Sequence, residues 1–289
     1  MRMVGCVIWV VGAVAIDLIA VREKFLEGTS NPSDIRLGLG GVGYRVFSNL
    51  EAPRRFLTAL ADDPISRWAA EALEADGDVA IQQVSKRDAG PPLYLALMES
   101  GSLKVAAADF RIVEQSISLP WVAGQVGALV REDFLVLDAN LSPSLLGALV
   151  ERYAGAASVV FEPVSVEKAA RHGEALRSLF LLTPTVEEAA ALVGKPGTAP
   201  THEEILSYMS RRKVTHVVVT RGKRGAILYS GGTVEEFAPG SVVEAGDTTG
   251  AGDFLLAALL SRLHEGGGIR ESLRAAMSGV ERRLREGAL

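Results

Sequence analysis

Apolar residues fall into two kinds of run that alternate along the chain. Short, almost wholly apolar stretches at Val4–Val11, Phe134–Leu137, Ser158–Phe161, Leu179–Leu182 and His216–Thr220 have the length and branched content of strands buried on both faces. Between them, apolar positions recur every three or four residues over Val46–Leu60, Ile65–Ala75, Pro143–Tyr153, Val166–Arg177, Val186–Val193 and Glu203–Arg211, the repeat of amphipathic helices. This order predicts a three-layer α/β/α arrangement, with a mostly parallel central sheet between helical layers.

Two segments, 17–39 and 92–110, break the alternation. They hold short mixed runs such as Leu93-Tyr94-Leu95-Ala96-Leu97 and Leu103-Lys104-Val105, joined by Glu99-Ser100-Gly101. These predict antiparallel strands outside the main sheet, forming a small β lid. At the far end Ile269, Leu273, Met277, Val280 and Leu284 line one face of a helix, and the arginines around them read as its solvated side. No repeat or low-complexity linker divides the chain, so one domain over residues 1–289 is expected.

The run Met3–Val21 is apolar enough to suggest a membrane anchor, but it is broken by Gly5, Gly12 and Asp17. A buried strand accounts for it better. With 30 Lys and Arg against 35 Asp and Glu, the formal charge of −5 gives no general attraction to nucleic acid or to anionic membranes. One cysteine, Cys6, has no partner for a disulfide, which points to a cytoplasmic location. Four scattered histidines lack metal-ligand spacing, and no Gly-x-Ser-x-Gly elbow occurs. Gly38–Gly43 formally matches a dinucleotide fingerprint, but the first long buried strand does not lead into it.

The chemistry concentrates in Gly246-Asp247-Thr248-Thr249-Gly250-Ala251-Gly252-Asp253, followed by the apolar run Phe254–Leu260. Small residues entering a helix leave main-chain N–H groups unpaired and unobstructed, a nest for an anion. Asp253 at its mouth is placed to take a proton from an attacking hydroxyl. A tight turn in which Asp253 merely caps the helix is the other reading of that spacing.

This string is similar to the C-terminal signature of the ribokinase-like carbohydrate kinases, the phosphofructokinase-B type. The resemblance extends along nearly the whole chain through Gly12, Asp17 and Gly40-Gly41. Within the family, Thr29-Ser30-Asn31-Pro32, Leu137-Asp138-Ala139-Asn140-Leu141 and Glu162–Ala169 look like segments of the pseudouridine kinases. The resemblance implies ATP-dependent phosphorylation, with Mg²⁺, of a primary hydroxyl on a nucleoside or sugar, pseudouridine foremost. It makes Asp253 the general base and the amides of Gly250, Ala251, Gly252 and Asp253 the anion hole. Asp17, Gly40, Gly41 and Arg45 fall on the acceptor side. Thr220, Gly222 and Gly225 fall at the nucleotide-binding turn. Glu188 is placed at magnesium, and Asp247 and Thr249 at a monovalent cation such as K⁺. The partners implied are a small-molecule acceptor and a second copy of the chain, joined through the lid.

Five departures accompany the resemblance; one is Leu255 and Ala258, which stand where the helix after Asp253 usually has Phe and Gly. Thr185 stands where the magnesium motif has Asn, Arg45 stands where the acceptor motif has Asn, and Pro91-Pro92-Leu93-Tyr94 replaces a lid string rich in Thr and Ser. The chain also ends soon after Val280, in a region that helps form the adenine pocket. They leave open a second reading, a ribokinase-fold protein that binds a nucleoside or sugar without efficient turnover.

Overall fold

The computed structural model describes residues 6–85, 89–173, 175–241, 243 and 248–287. In chain order the strands are β1 (Ile8–Val11), β2 (Ala15–Arg22), β3 (Asp34–Gly40), β4 (Arg54–Ala61), β5 (Asp78–Val84), β6 (Leu93–Glu99), β7 (Ser102–Asp109), β8 (Phe134–Asp138), β9 (Ser158–Glu162), β10 (Leu181–Leu182), β11 (His216–Thr220), β12 (Ala226–Ser230) and β13 (Thr233–Phe237). The helices are α1 (Val42–Asn49), α2 (Pro64–Asp76), α3 (Arg111–Ser116), α4 (Leu119–Val126), α5 (Pro143–Tyr153), α6 (Val166–His172), α7 (Val186–Leu192), α8 (His202–Arg212), α9 (Ala251–His264) and α10 (Ile269–Glu286).

Nine strands form the main sheet in the order β13-β12-β11-β10-β9-β8-β1-β4-β5. It is parallel from β11 through β5, and the β12–β13 hairpin closes one edge antiparallel. Alternate residues of each strand enter different cores, because successive side chains point to opposite faces. Val11, Leu57, Leu135, Leu137 and Phe161 pack with α5, α7 and α8 on one side. Ile8, Val10, Phe56, Val136 and Val160 pack with α1, α9 and α10 on the other. The three-layer expectation is met.

A separate four-stranded sheet, in the order β3-β2-β6-β7, holds the two segments that broke the alternation. Its pairings are not all antiparallel, since β2 and β6 run parallel. Residues of Met3–Val21 from Ile8 onward lie in β1 and β2, while Val4 and Gly5 lie outside the described residues. Among the described residues no helix is long and apolar enough to cross a membrane.

The helix expected over Val46–Leu60 is a correction. Its first part is the end of α1, and the rest is strand β4, paired in parallel with β1 and β5. Pro53 disfavours helix at Ala52, and its carbonyl instead accepts the N–H of Ile8 at 2.9 Å. The strand is then buried on both faces from Phe56 to Ala61, so its apolar positions carry no period. Strand β5 went unread because its polar sequence, DVAIQQV, suits an edge. Helix α6 stops at His172 instead of running on to Arg177, with Gly173 as its C-cap.

The carboxyl ends of β1, β8, β9, β10 and β11 meet along one edge of the main sheet. The last residues of β8, β9 and β11 (Asp138, Glu162 and Thr220) and those just after β1 and β10 (Gly12 and Thr183) therefore stand side by side. In open parallel sheets that edge is where ligands bind.

Candidate active site

The region expected to face the acceptor is built around two carboxylates packed against glycine backbone. Asp17 lies on β2 opposite Gly38 of β3 and Tyr94 of β6, which places all three on one face of the small sheet. A Cβ added to Gly40 would stand 2.1 Å from Asp17 Oδ2, so the glycine makes the room the carboxylate occupies. Gly41 turns the chain from β3 into α1 at φ +87°, against the backbone of Ala13 and Ala15. Asp138, fully buried at the end of β8, braces this corner. Its Oδ2 accepts the N–H of Ala13 at 2.8 Å and of Gly43 at 3.2 Å, and its Oδ1 accepts that of Asn140 at 2.9 Å. Burial raises the pKa of Asp138, and those N–H groups oppose the rise.

One turn into α1, Arg45 reaches back to Asp17, with Nη2 3.6 Å from Oδ2. Asp17 is buried, which raises its pKa, and the Arg45 charge works against that rise. Asp17 and Arg45, two of the four residues that the resemblance assigned to the acceptor, are therefore neighbours in space.

Packed beside α1, helix α9 is entered through Gly250, whose φ of +86° sets the left-handed corner of the turn. Its carbonyl accepts the first helical bond, from the N–H of Phe254 at 2.9 Å. The expected ring of four amides needs correction at one position, because the Ala251 N–H donates to the Thr248 carbonyl at 3.1 Å. The amides of Gly252 and Asp253 have no acceptor among the described residues, as a helix N-terminus leaves them. No other atom comes within 4 Å of a Cβ placed on Gly252, so the approach is open. Thr249 sits in the exposed turn before the helix, and Asp247 lies outside the described residues.

Asp253 lines a cavity of about 170 Å³ together with Glu162, Thr183, Thr185, Glu188, Thr220 and Gly252, among others. Burial pushes its pKa up to about 6; the Arg45 guanidinium opposes this, while Asp138 and Glu188 add to it. Glu162 is raised well above the ordinary range by burial and then by the nearby charge of Glu188, and Glu188 is raised by its own burial. Thr185 and Glu188 form a reciprocal capping box at the start of α7. The Thr185 N–H donates to Glu188 Oε2 at 2.8 Å, and the Glu188 N–H to Thr185 Oγ1 at 3.2 Å. The main-chain N–H of residue 185 thus holds the Glu188 carboxylate, and the threonine that stands in place of asparagine keeps the cap complete.

Gly222 and Gly225 shape the turn between β11 and β12, just beyond Thr220. The Arg221 N–H donates to Gly225 O at 2.8 Å, and a Cβ on Gly225 would stand 2.0 Å from Phe237 O. Neither glycine lines the cavity.

Sequence reasoning assigned no role to Glu162 or Asp138, although both fall in strings it had singled out. A carboxylate ending a wholly apolar strand in a parallel sheet was the signal available. Lys168 is likewise drawn inward. Its ammonium donates to Asn140 Oδ1 and lies 5.1 Å from the centre of the Phe110 ring. These three residues line a second cavity of about 500 Å³, which also reaches Ala108, the cross-strand neighbour of Tyr94.

The sequence matches the pattern of the pfkB family carbohydrate kinase over residues 7–279. It is 24% identical to the pseudouridine kinase of Escherichia coli K12 over 278 residues, which cover 92% of this chain and 87% of that one. It is 25% identical to the guanosine-inosine kinase of Exiguobacterium acetylicum over 281 residues, 93% and 91% of the two chains. The fold is similar to that of Arabidopsis thaliana ribokinase complexed with ribose and ATP, with a TM-score of 0.75 at 21% identity, covering 98% of this chain and 93% of that one.

Proposed function

The chain belongs to the pfkB family of carbohydrate kinases and is a phosphotransferase acting on a sugar or nucleoside hydroxyl; from that premise we propose that it phosphorylates the primary hydroxyl of a nucleoside, pseudouridine foremost. The observation that carries the reading is that Asp253, the free amides of Gly252 and Asp253, and the Asp17–Arg45 pair gather around the Gly250 corner. Asp17 would hold acceptor hydroxyls, and the larger cavity beside Asn140 and Lys168 would take the far end of the molecule. The hydroxyl proton passes to the Asp253 carboxylate as its oxygen attacks the γ-phosphorus of ATP. The bond to the bridging oxygen breaks, and its electron pair leaves with ADP. Charge on the phosphoryl oxygens falls toward the amide pair at the head of α9. An ATP-consumption screen with pseudouridine, uridine, guanosine, ribose and fructose 6-phosphate tests the substrate. Preference for a simple sugar over every nucleoside would overturn it.

ATP-dependent kinases of this family work with Mg²⁺, and the residues present fit it. Glu162, Glu188 and Asp253 face one small cavity and hold protons above their ordinary range, a negative field that a divalent cation relieves. Among the described residues no three His, Cys, Asp or Glu side chains gather closely enough to enclose an ion themselves. Glu188 and Glu162 would therefore hold it through water, with phosphate oxygens completing the shell. When bound, the ion neutralises phosphate charge. Glu188→Gln keeps the cap, since its amide oxygen still accepts from Thr185. It is expected to raise the free Mg²⁺ needed for half-maximal rate about tenfold. A titration unmoved by the change would remove Glu188 from the ion. A monovalent cation near Thr249 belongs to the same proposal, tested by exchanging K⁺ for choline.

The reading of a fold without turnover finds no support here. Thr185 preserves the position of Glu188, and the head of α9 is open.

The small sheet would also join two copies. Ile35, Leu37, Leu95 and Val105 are 47–67% exposed on the face opposite Asp17. Leu95→Glu is expected to convert a dimer to a monomer in sedimentation, and a chain monomeric before the change would sink the idea.

A further inference from the structure

We propose that Arg45 is a catalytic residue that binds the phosphoryl group during transfer, rather than a ligand of the acceptor; the proposal rests on the kinase reading above. Its side chain is 27% exposed, and among the described residues its guanidinium makes no hydrogen bond within 3.5 Å. Among the described residues its ion pair to Asp17, at 3.6 Å, engages one Nη atom and leaves most of a fork of five donors without an acceptor. Such a group, largely withdrawn from water, is short of acceptors on the side that faces the cleft.

Its direction is set by Gly250. A Cβ on that glycine would stand 2.9 Å from Arg45 Nη1, so the guanidinium packs on the left-handed corner from which α9 springs. The free amides of Gly252 and Asp253 follow directly. Fork and amides therefore open on the same space, between the carboxylate that would hold the acceptor and the one that would take its proton. A transferred phosphoryl spreads charge over three equatorial oxygens, and a planar fork matches two of them. Asparagine, which the family resemblance places at this position, brings no charge to that task. The same guanidinium holds down the proton affinity of Asp253 against burial and against Asp138 and Glu188, with Glu162 facing the same cavity.

Arg45→Gln and Arg45→Lys in the full chain provide the test. With the best acceptor, Arg45→Gln is expected to lower kcat about 10²–10³-fold and leave the acceptor KM within about threefold. Arg45→Lys, a point charge without a fork, should recover only a small part of that loss. The acid limb of kcat/KM should move to higher pH in Arg45→Gln, because the cation beside Asp253 is gone. By calorimetry, MgADP with aluminium fluoride should bind Arg45→Gln at least about 30-fold more weakly, with MgADP alone unchanged.

A raised acceptor KM at constant kcat, or equal binding of the fluoride complex by both proteins, would overturn the proposal. The fluoride measurement needs no acceptor. A chain that shows the Arg45 dependence there but phosphorylates none of the compounds would uphold Arg45 and overturn the acceptor assignment.

Discussion

Asp253→Asn is expected to lower kcat by about 10²–10⁴-fold and at the same time to raise the melting temperature. The first effect follows from geometry. The carboxylate stands beside the free amides and faces the Asp17–Arg45 wall, and asparagine of nearly the same shape cannot accept the hydroxyl proton. The second follows from the same burial. Asp253 has a folded-state pKa of about 6 against an ordinary 3.8, so the folded chain holds that proton more tightly than the unfolded chain. Stability from this group is therefore greatest below pH 3.8 and falls as pH rises through the window from there to about 6. The full shift corresponds to about 3 kcal/mol, and partial exposure reduces it to roughly 1–2. Asparagine carries no charge to bury. Melting curves should show the variant pulling ahead between pH 4 and about pH 6 and holding that lead to pH 8, while kcat/KM of the parent declines below about pH 6. An unchanged rate would remove Asp253 as the base, and a pH-independent gap would remove the buried-charge account.

Gly41→Ala should give the largest loss of stability of the changes considered, about 3–5 kcal/mol by urea unfolding. Two costs add. At φ +87° an L side chain is strained, and the new Cβ would stand 2.8 Å from Ala15 N and 2.9 Å from Ala13 O. Those atoms are backbone where the link from β1 enters β2, beside the Ala13 and Gly43 amides that Asp138 holds, so they have little freedom to withdraw. Gly28→Ala isolates the first cost, because Gly28 has φ +71° with nothing within 4 Å of its Cβ position. It should lose only about 1 kcal/mol. Equal losses at the two positions would mean that the contacts behind Gly41 yield. Gly40→Ala separates function from fold. The three atoms nearest its Cβ would all belong to the Asp17 carboxylate, so that side chain must swing away, and acceptor KM should rise at least about tenfold with a smaller stability loss.

The elements that were legible share a feature. Pro143–Tyr153 and His216–Thr220 are bounded by residues that act locally. Ser142 caps the first, its Oγ accepting the Leu145 N–H at 3.2 Å, and the second is an unbroken β-branched run. Strand β4 was not legible because its eight residues, buried by neighbours on both sides, follow a helix after only four intervening residues, which blurs the two periods into one. Glycines and the carboxylate at the head of α9 were visible, since their consequences are local to one turn. The loss of the Ala251 amide to Thr248 was not, because it depends on how that turn closes.

Glu162 and Asp138 show where local reasoning stops. Each ends a strand of ordinary apolar character, and its importance comes from parallel neighbours brought in from far along the chain: Thr183 and Asp253 for Glu162, Ala13 and Gly43 for Asp138. The chain's order of residues determined which segments are strands and helices wherever side-chain period and capping decide, together with the type of site that small residues before a helix create. The tertiary structure alone decided that Asp17, Arg45, Asp253, Glu162 and Glu188 share one edge of the sheet and what their pKa values become. Long-range pairing places those groups together, and the energies between charges depend on distance and on excluded water, neither of which is written in sequence separation.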